Sequence, residues 1–135
     1  MNALIPAPEI ENQVLLIRGH KVLIDADLAR LYGVTTERLK QQVRRNRERF
    51  PEDFVFELTP SEKAEVLAKC KHLQKIKFSS VLPQAFTEHG AVMAASVLNS
   101  PVAVKASIQV VRAFVRLRSL LAAHKELAGK LEELI

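Results

Sequence analysis

The chain is poor in the residues that most chemistry needs. Cys70 is its only cysteine, so no disulfide can form within it, and a reducing cytoplasm fits that usage. Only four glycines occur and none cluster, which excludes a glycine-rich phosphate loop. No run of 18 apolar residues is present, so no segment is expected to span a membrane. The opening, MNALIPAPEIENQ, lacks a basic stretch followed by a long apolar run, so no signal peptide is expected. His20, His72, His89 and His124 are scattered, and Cys70-x-His72 is too tight for common zinc spacing. Glu88 and His89 are neighbours and cannot share a helical face, so His89 reads as a helix-start residue rather than a general base. Ser79-Ser80 has no nucleophile-elbow context. Asp25, Asp27, Glu52 and Asp53 are explicable as caps and turn residues. Neither an enzyme nor a metal or cofactor site is expected.

What remains is basic. With 135 residues the chain is expected to form one compact domain that buries roughly two-thirds of its unfolded surface. Its net charge is +5 and its isoelectric point about 9.6, which points to an anionic partner. DNA, RNA and a membrane surface share that property.

The charge concentrates in the stretch around which the chain is organised, Asp25 to Phe50. Asp25 is expected to cap a first helix, with Leu28 and Leu31 on its apolar face. Gly33 falls where that helix must stop, and glycine accepts a left-handed conformation there at little cost. Thr35 or Thr36 can cap a second helix running to Phe50, with Leu39, Val43 and Phe50 inward. Gln41, Arg44 and Arg45 face outward with Lys40 on their flank. The arrangement reads as a helix-turn-helix, with Ala29 at the crossing. Residues 35–50 carry six Lys/Arg and two Glu, a local balance of +4. Such a helix would present guanidinium, ammonium and amide groups to a DNA major groove.

Around this pair the coarse plan is α+β. Residues 1–9 contain Pro6 and Pro8 and read as a loose arm. A β-hairpin is expected at about 13–18 and 21–25, turning at Arg18-Gly19-His20-Lys21. Pro51 ends the second helix, and Phe54 to Leu58 reads as a third strand pairing with the hairpin. Thr59-Pro60-Ser61-Glu62 is a capping box for a helix to about Lys69. Residues 70–82 hold lysines and no acid, and read either as a solvated loop or irregular hairpin or as a wing touching phosphate. Thr87 caps a helix to Leu98, and Ser100 with Pro101 starts a last helix running toward Ile135.

That last helix carries two patterns. Lys105, Gln109, Arg112 and Arg116 form a stripe, read as a solvated edge in preference to a phosphate-tracking face. Ala113, Leu117, Leu120, His124, Leu127, Leu131 and Leu134 recur at spacings of four and three, a coiled-coil seam or a face packed back on the domain.

Several stretches together resemble one family. Leu23-Ile24-Asp25-Ala26-Asp27-Leu28-Ala29-Arg30-Leu31-Tyr32-Gly33-Val34 is similar to the opening motif of the ORF-six N-terminal domain, in the KilA-N/Bro-N superfamily of phage and bacterial proteins. Arg49-Phe50-Pro51-Glu52-Asp53-Phe54, the run Leu82 to Gly90 and the run Arg112 to Arg118 follow its habit, so the resemblance covers about residues 9–120. It implies an α+β DNA-binding domain of mobile-element regulators, including antirepressor-like proteins. It places Gly33 and Val34 in the turn and Arg44, Arg45 and Asn46 on the basic helix. His89 departs from the glutamine of many relatives, and the lysine-rich 69–77 from a more glycine-rich loop.

The expectation is therefore a loose arm at 1–9, a KilA-N/Bro-N-like domain at 10–120 and a helical extension at 121–135. It should bind duplex DNA as a homodimer and regulate transcription or phage development. Lys40, Arg44, Arg45, Arg47 and Arg49 would contact phosphates, while Gln41 and one or two arginines would read bases. The rival is an antirepressor-type module that grips a partner regulator protein.

Overall fold

The structure is a computed structural model and describes residues 4–134. Residues 1–3 of the expected arm lie outside the described residues. The rest of the arm is not loose: Ala7–Glu11 form a short helix, α1, with a proline in its first turn. Ile10 is buried, and α1 lies along the last helix. Pro6 at the cap and Pro8 in the first turn suit a helix start, and Ile10 with Ile5 and Ala7 packs the segment on the core.

Strands β1 (Leu15–Ile17) and β2 (His20–Ile24) form the hairpin, joined through the two residues Arg18 and Gly19. Both have positive φ, 55° and 77°, as a tight primed hairpin turn requires. A left-handed arginine costs about 1–2 kcal/mol. Its side chain is engaged on the neighbouring chain: Nε and Nη2 each donate to the Glu62 carboxylate at 2.8 Å, and Nη2 also donates to the Glu57 carbonyl at 3.1 Å. The guanidinium lies 4.4 Å from the centre of the Phe56 ring.

β3 (Val55–Glu57) forms where a third strand is expected, but it does not pair with the hairpin. A fourth strand, β4 (Gln84–Phe86), stands between them, giving an antiparallel sheet of order β1-β2-β4-β3. Ala85 faces Ile24 on one side and Phe56 on the other. Three residues after a proline are too few to display strand alternation, which hides β4 in the sequence.

The sheet has a core on each face. β2 alternates between them: Leu23 joins one, Val22 and Ile24 the other. The larger core receives helices α2 (Asp25–Leu31), α3 (Thr36–Arg45), α5 (Glu88–Leu98) and α6 (Pro101–Leu134). The smaller receives Val66 of α4 (Pro60–Lys69), with Cys70 and Leu73. Residues 70–82 contain no hairpin; Lys71–Ile76 form a 3₁₀ turn anchored by Leu73. The expected caps Thr35, Thr59, Thr87 and Ser100 each accept a backbone N–H in the first turn of their helix.

α5 and α6 pack closely through Ala91, Ala94, Ala95, Ala103, Ala106 and Ala113. Away from α6, Gly90 at the start of α5 lies tight against the chain entering β3, since a Cβ there would lie 2.0 Å from the Phe54 carbonyl oxygen. α6 is about 51 Å long at 1.5 Å per residue. Its buried residues end at Phe114, and every residue from Arg118 to Leu134 is exposed. The alternative of a seam folded back on the domain therefore fails for Leu120, Leu127, Leu131 and Leu134. The architecture is α+β, as expected.

A candidate nucleic-acid interface

The site is built on the turn between α2 and α3. Val34 N–H donates to Ala29 C=O at 3.0 Å and Gly33 N–H to Arg30 C=O at 3.2 Å, the paired bonds of a Schellman stop. Gly33 has φ of 70°, and a Cβ there would come within 3.2 Å of Val102 on α6. Tyr32 is buried and its hydroxyl donates to the Ala91 carbonyl at 2.7 Å, tying the end of α2 to α5. Burial pushes that phenol pKa well up. The turn is thus held by three helices.

α3 then starts at Thr35, whose hydroxyl accepts Arg38 N–H at 3.1 Å. Leu39 and Val43 are buried against α2 and α5. The helix stops at Arg45, five residues short of the expected end. Asn46 takes φ −119° and ψ 37° and donates through Nδ2 to Gln42 C=O at 2.9 Å. Arg47–Arg49 form a separate 3₁₀ turn, and Phe50 reaches the core from there.

The expected contact residues divide. Arg44 and Arg45 are exposed on α3, and Gln41 is half-buried one turn earlier. Arg47 and Arg49 are exposed on the following turn, not on the helix itself. Lys40 leaves the set. Its Nζ lies 3.3 Å from Asp25 Oδ2, with the side chain 15% exposed. Arg38 joins, exposed three residues before Gln41 on the same face. It entered the local charge but was not assigned a contact; the spacing i, i+3 to Gln41 was the signal. Among the described residues, Arg38, Arg44, Arg45, Arg47 and Arg49 have no carboxylate within ion-pair distance. Glu37 and Glu48 are exposed at the margins.

Asp25 is not the expected cap. Ile24 occupies the cap position, and Asp25 is the first helical residue, only 2% exposed. Its Oδ1 accepts Ala26 N–H at 2.7 Å, while Oδ2 accepts Gln84 N–H at 3.0 Å and faces Lys40. One carboxylate thus clamps α2, β4 and α3. Asp27, equally buried, faces His72 Nε2 at 3.1 Å. Burial raises its carboxyl pKa, and the hydrogen bond to His72 opposes that rise.

Along α6, Arg116 of the basic stripe pairs with Glu11 at 3.1 Å and braces α1, while Arg118, outside the stripe, pairs with Glu88 of α5. His89 stacks on Phe54 with ring centres 5.5 Å apart. Among the described residues no group of three His, Cys, Asp or Glu could hold a metal ion, and no helix is long and apolar enough to cross a membrane.

These features define a small α+β domain that turns one cationic helix outward from a clamped helical pair. The sequence model of the ORF6N domain family matches residues 12–97, more than half of the chain, and the protein belongs to that phage-type regulatory family. The match is narrower than the expected 9–120 and leaves α6 outside it. No curated protein and no solved structure matches the chain.

Proposed function

We propose that this protein is a non-catalytic regulator of transcription or phage development that binds duplex DNA as a homodimer. α2 and α3 act as a helix-turn-helix, with α3 in the major groove. One observation carries the reading: five arginines with no carboxylate at ion-pair distance among the described residues surround a face whose reverse is locked by Leu39, Val43 and the Asp25–Lys40 pair. Cations without a paired acid, on a helix and the turn that follows it, suit a polyanion. Gln41 and Arg44, at the outward centre, read base edges; Arg38, Arg45, Arg47 and Arg49 contact phosphates. The exposed leucines of α6 form the seam with a second copy.

The test is a titration of each variant against selected and random duplexes at several salt concentrations. Arg47→Ala or Arg49→Ala weakens all DNA alike and takes about 0.9 off the slope of log K against log salt. Gln41→Ala or Arg44→Ala lowers preference for the selected duplex by about 1–3 kcal/mol. Wild-type protein that ignores duplex DNA even at low salt would refute the reading. The second reading, an antirepressor-type module, is favoured by the same exposed α6 leucines, which would then receive a helix of another regulator. It predicts weak, sequence-blind DNA binding and tight binding to that regulator.

A further inference from the structure

Beyond α3, one segment exposes an aromatic ring among unpaired cations. Phe78 is 90% exposed, the most exposed large apolar side chain among the described residues. Lys77 Nζ lies 5.6 Å from its ring centre. Lys69, Lys71, Lys75 and Lys77 are exposed, and no acid occurs from Val66 to Thr87. None of these lysines has a carboxylate within ion-pair distance among the described residues.

Both ends of the segment are anchored. Leu73 is buried in the smaller core with Ile76 packed beside it. Gln74 Nε2 donates to Leu67 C=O and Lys63 Nζ to Ser79 C=O, both at 2.7 Å. The anchors also lead to the α2–α3 pair. His72 meets Asp27, and Gln84 N–H meets the same Asp25 oxygen that faces Lys40 of α3. The two unpaired cationic surfaces, α3 and this tip, are thus joined through the first turn of α2.

We propose that residues 69–81 form a second contact to the same duplex, with Phe78 entering the minor groove beside the site of α3 and Lys75 and Lys77 on the flanking phosphates. The inference rests on duplex binding by α3. An apolar wedge among phosphate-binding cations is the chemistry by which proteins engage a minor groove. A ring facing base edges and sugars loses the water that otherwise surrounds it, while the ammonium groups displace counterions.

The chain contains no tryptophan, so Phe78→Trp installs a lone indole at the tip. Its emission is followed during titration with a duplex, while anisotropy of a label on the duplex reports binding independently. The expected result is quenching with the same midpoint as the anisotropy change. Phe78→Ala should weaken binding about tenfold, which corresponds to about 1.4 kcal/mol. The double variant Lys75→Ala/Lys77→Ala should take about 1.8 off the salt slope, about 0.9 for each lost contact. Duplex binding with unchanged indole emission, and with Phe78→Ala equal to wild type, overturns the tip contact and leaves α3 standing. A blue shift on phosphatidylserine vesicles without any response to duplex overturns it in favour of a membrane surface. No binding to duplex at low salt removes both readings.

Discussion

From Pro101 to Phe114, α6 sends Ala103, Ala106, Val110, Ala113 and Phe114 into the core; from Arg118 to Leu134 the same helix is exposed on every side. Both halves carry apolar residues at helical spacing. In the first, the facing surfaces are α5 and α1, and the contact residues are mostly alanines that allow close approach. In the second, no element among the described residues covers Leu120, Leu121, Leu127, Leu131 and Leu134. A periodic stripe therefore says that a face suits burial and not what buries it. Burying one leucine contributes about 1.5–3 kcal/mol, so the packed half gains by folding, and the projecting half would gain only by meeting a surface outside this fold. The packed half braces the α2–α3 pair, since Val102 meets the Gly33 turn.

Asp25→Ala should expose this contrast most sharply. Removing the carboxylate leaves Lys40 half-buried without its partner and Gln84 N–H without its acceptor. The expected loss is about 3–5 kcal/mol in urea unfolding, confined to the body. A loss under about 1 kcal/mol would mean that the clamp is dispensable.

Gly90→Ala comes next. The added methyl meets a backbone carbonyl, which cannot rotate away, so α5 must shift off β3. A cost of about 3 kcal/mol is expected. Unchanged thermal stability would show that the α5 start has slack that the 2.0 Å approach denies.

A smaller effect should appear in acid. Arg18 holds the Glu62 carboxyl well below the usual range, at about 2, helped by Thr59 N–H. A depressed carboxyl pKa stabilises the fold above its unfolded value and loses that contribution as pH falls toward the folded one. Wild type should therefore lose stability between about pH 4.5 and about pH 2 through this group, and Glu62→Gln should be flatter there. Parallel acid curves for the two proteins would remove the pair from the balance.

The smallest effect on the body should come from the largest deletion. Truncation after Arg118 keeps the ion pair to Glu88 and, among the described residues, removes only exposed ones. Stability of the body should change by less than about 0.5 kcal/mol. Sedimentation should shift from dimer to monomer. A full-length monomer at high micromolar concentration would sink the self-association proposal.

Local chemistry was legible in the sequence wherever neighbours in the chain decide the outcome. Thr59 with Glu62, Thr87, Ser100 and the Gly33 stop are settled within four residues, and each formed as expected. The outward placement of Arg44 and Arg45 followed from the same 3.6-residue period that buried Leu39 and Val43. Arg47 and Arg49 were misplaced onto α3 because nothing before Asn46 in the pattern announces its early stop.

The sequence by itself determined the α+β class, the family, the helical pair and the cationic character of its outer face. Only the tertiary structure decided that β4 separates β3 from the hairpin, that Ile10 makes a helix of the arm, and that Lys40 faces inward. Each of these depends on a partner that is not a neighbour in the chain: Ala85 for Ile24, α6 for Ile10, Asp25 for Lys40. Lys40 shows the reason most directly. Its spacing marks it as one more basic residue on the flank of α3, and the ammonium reaches its carboxylate only after Asp25 has been fixed at the start of α2. An ion's place is set by the nearest unmatched opposite charge in space, and distance in space is what a linear pattern does not carry.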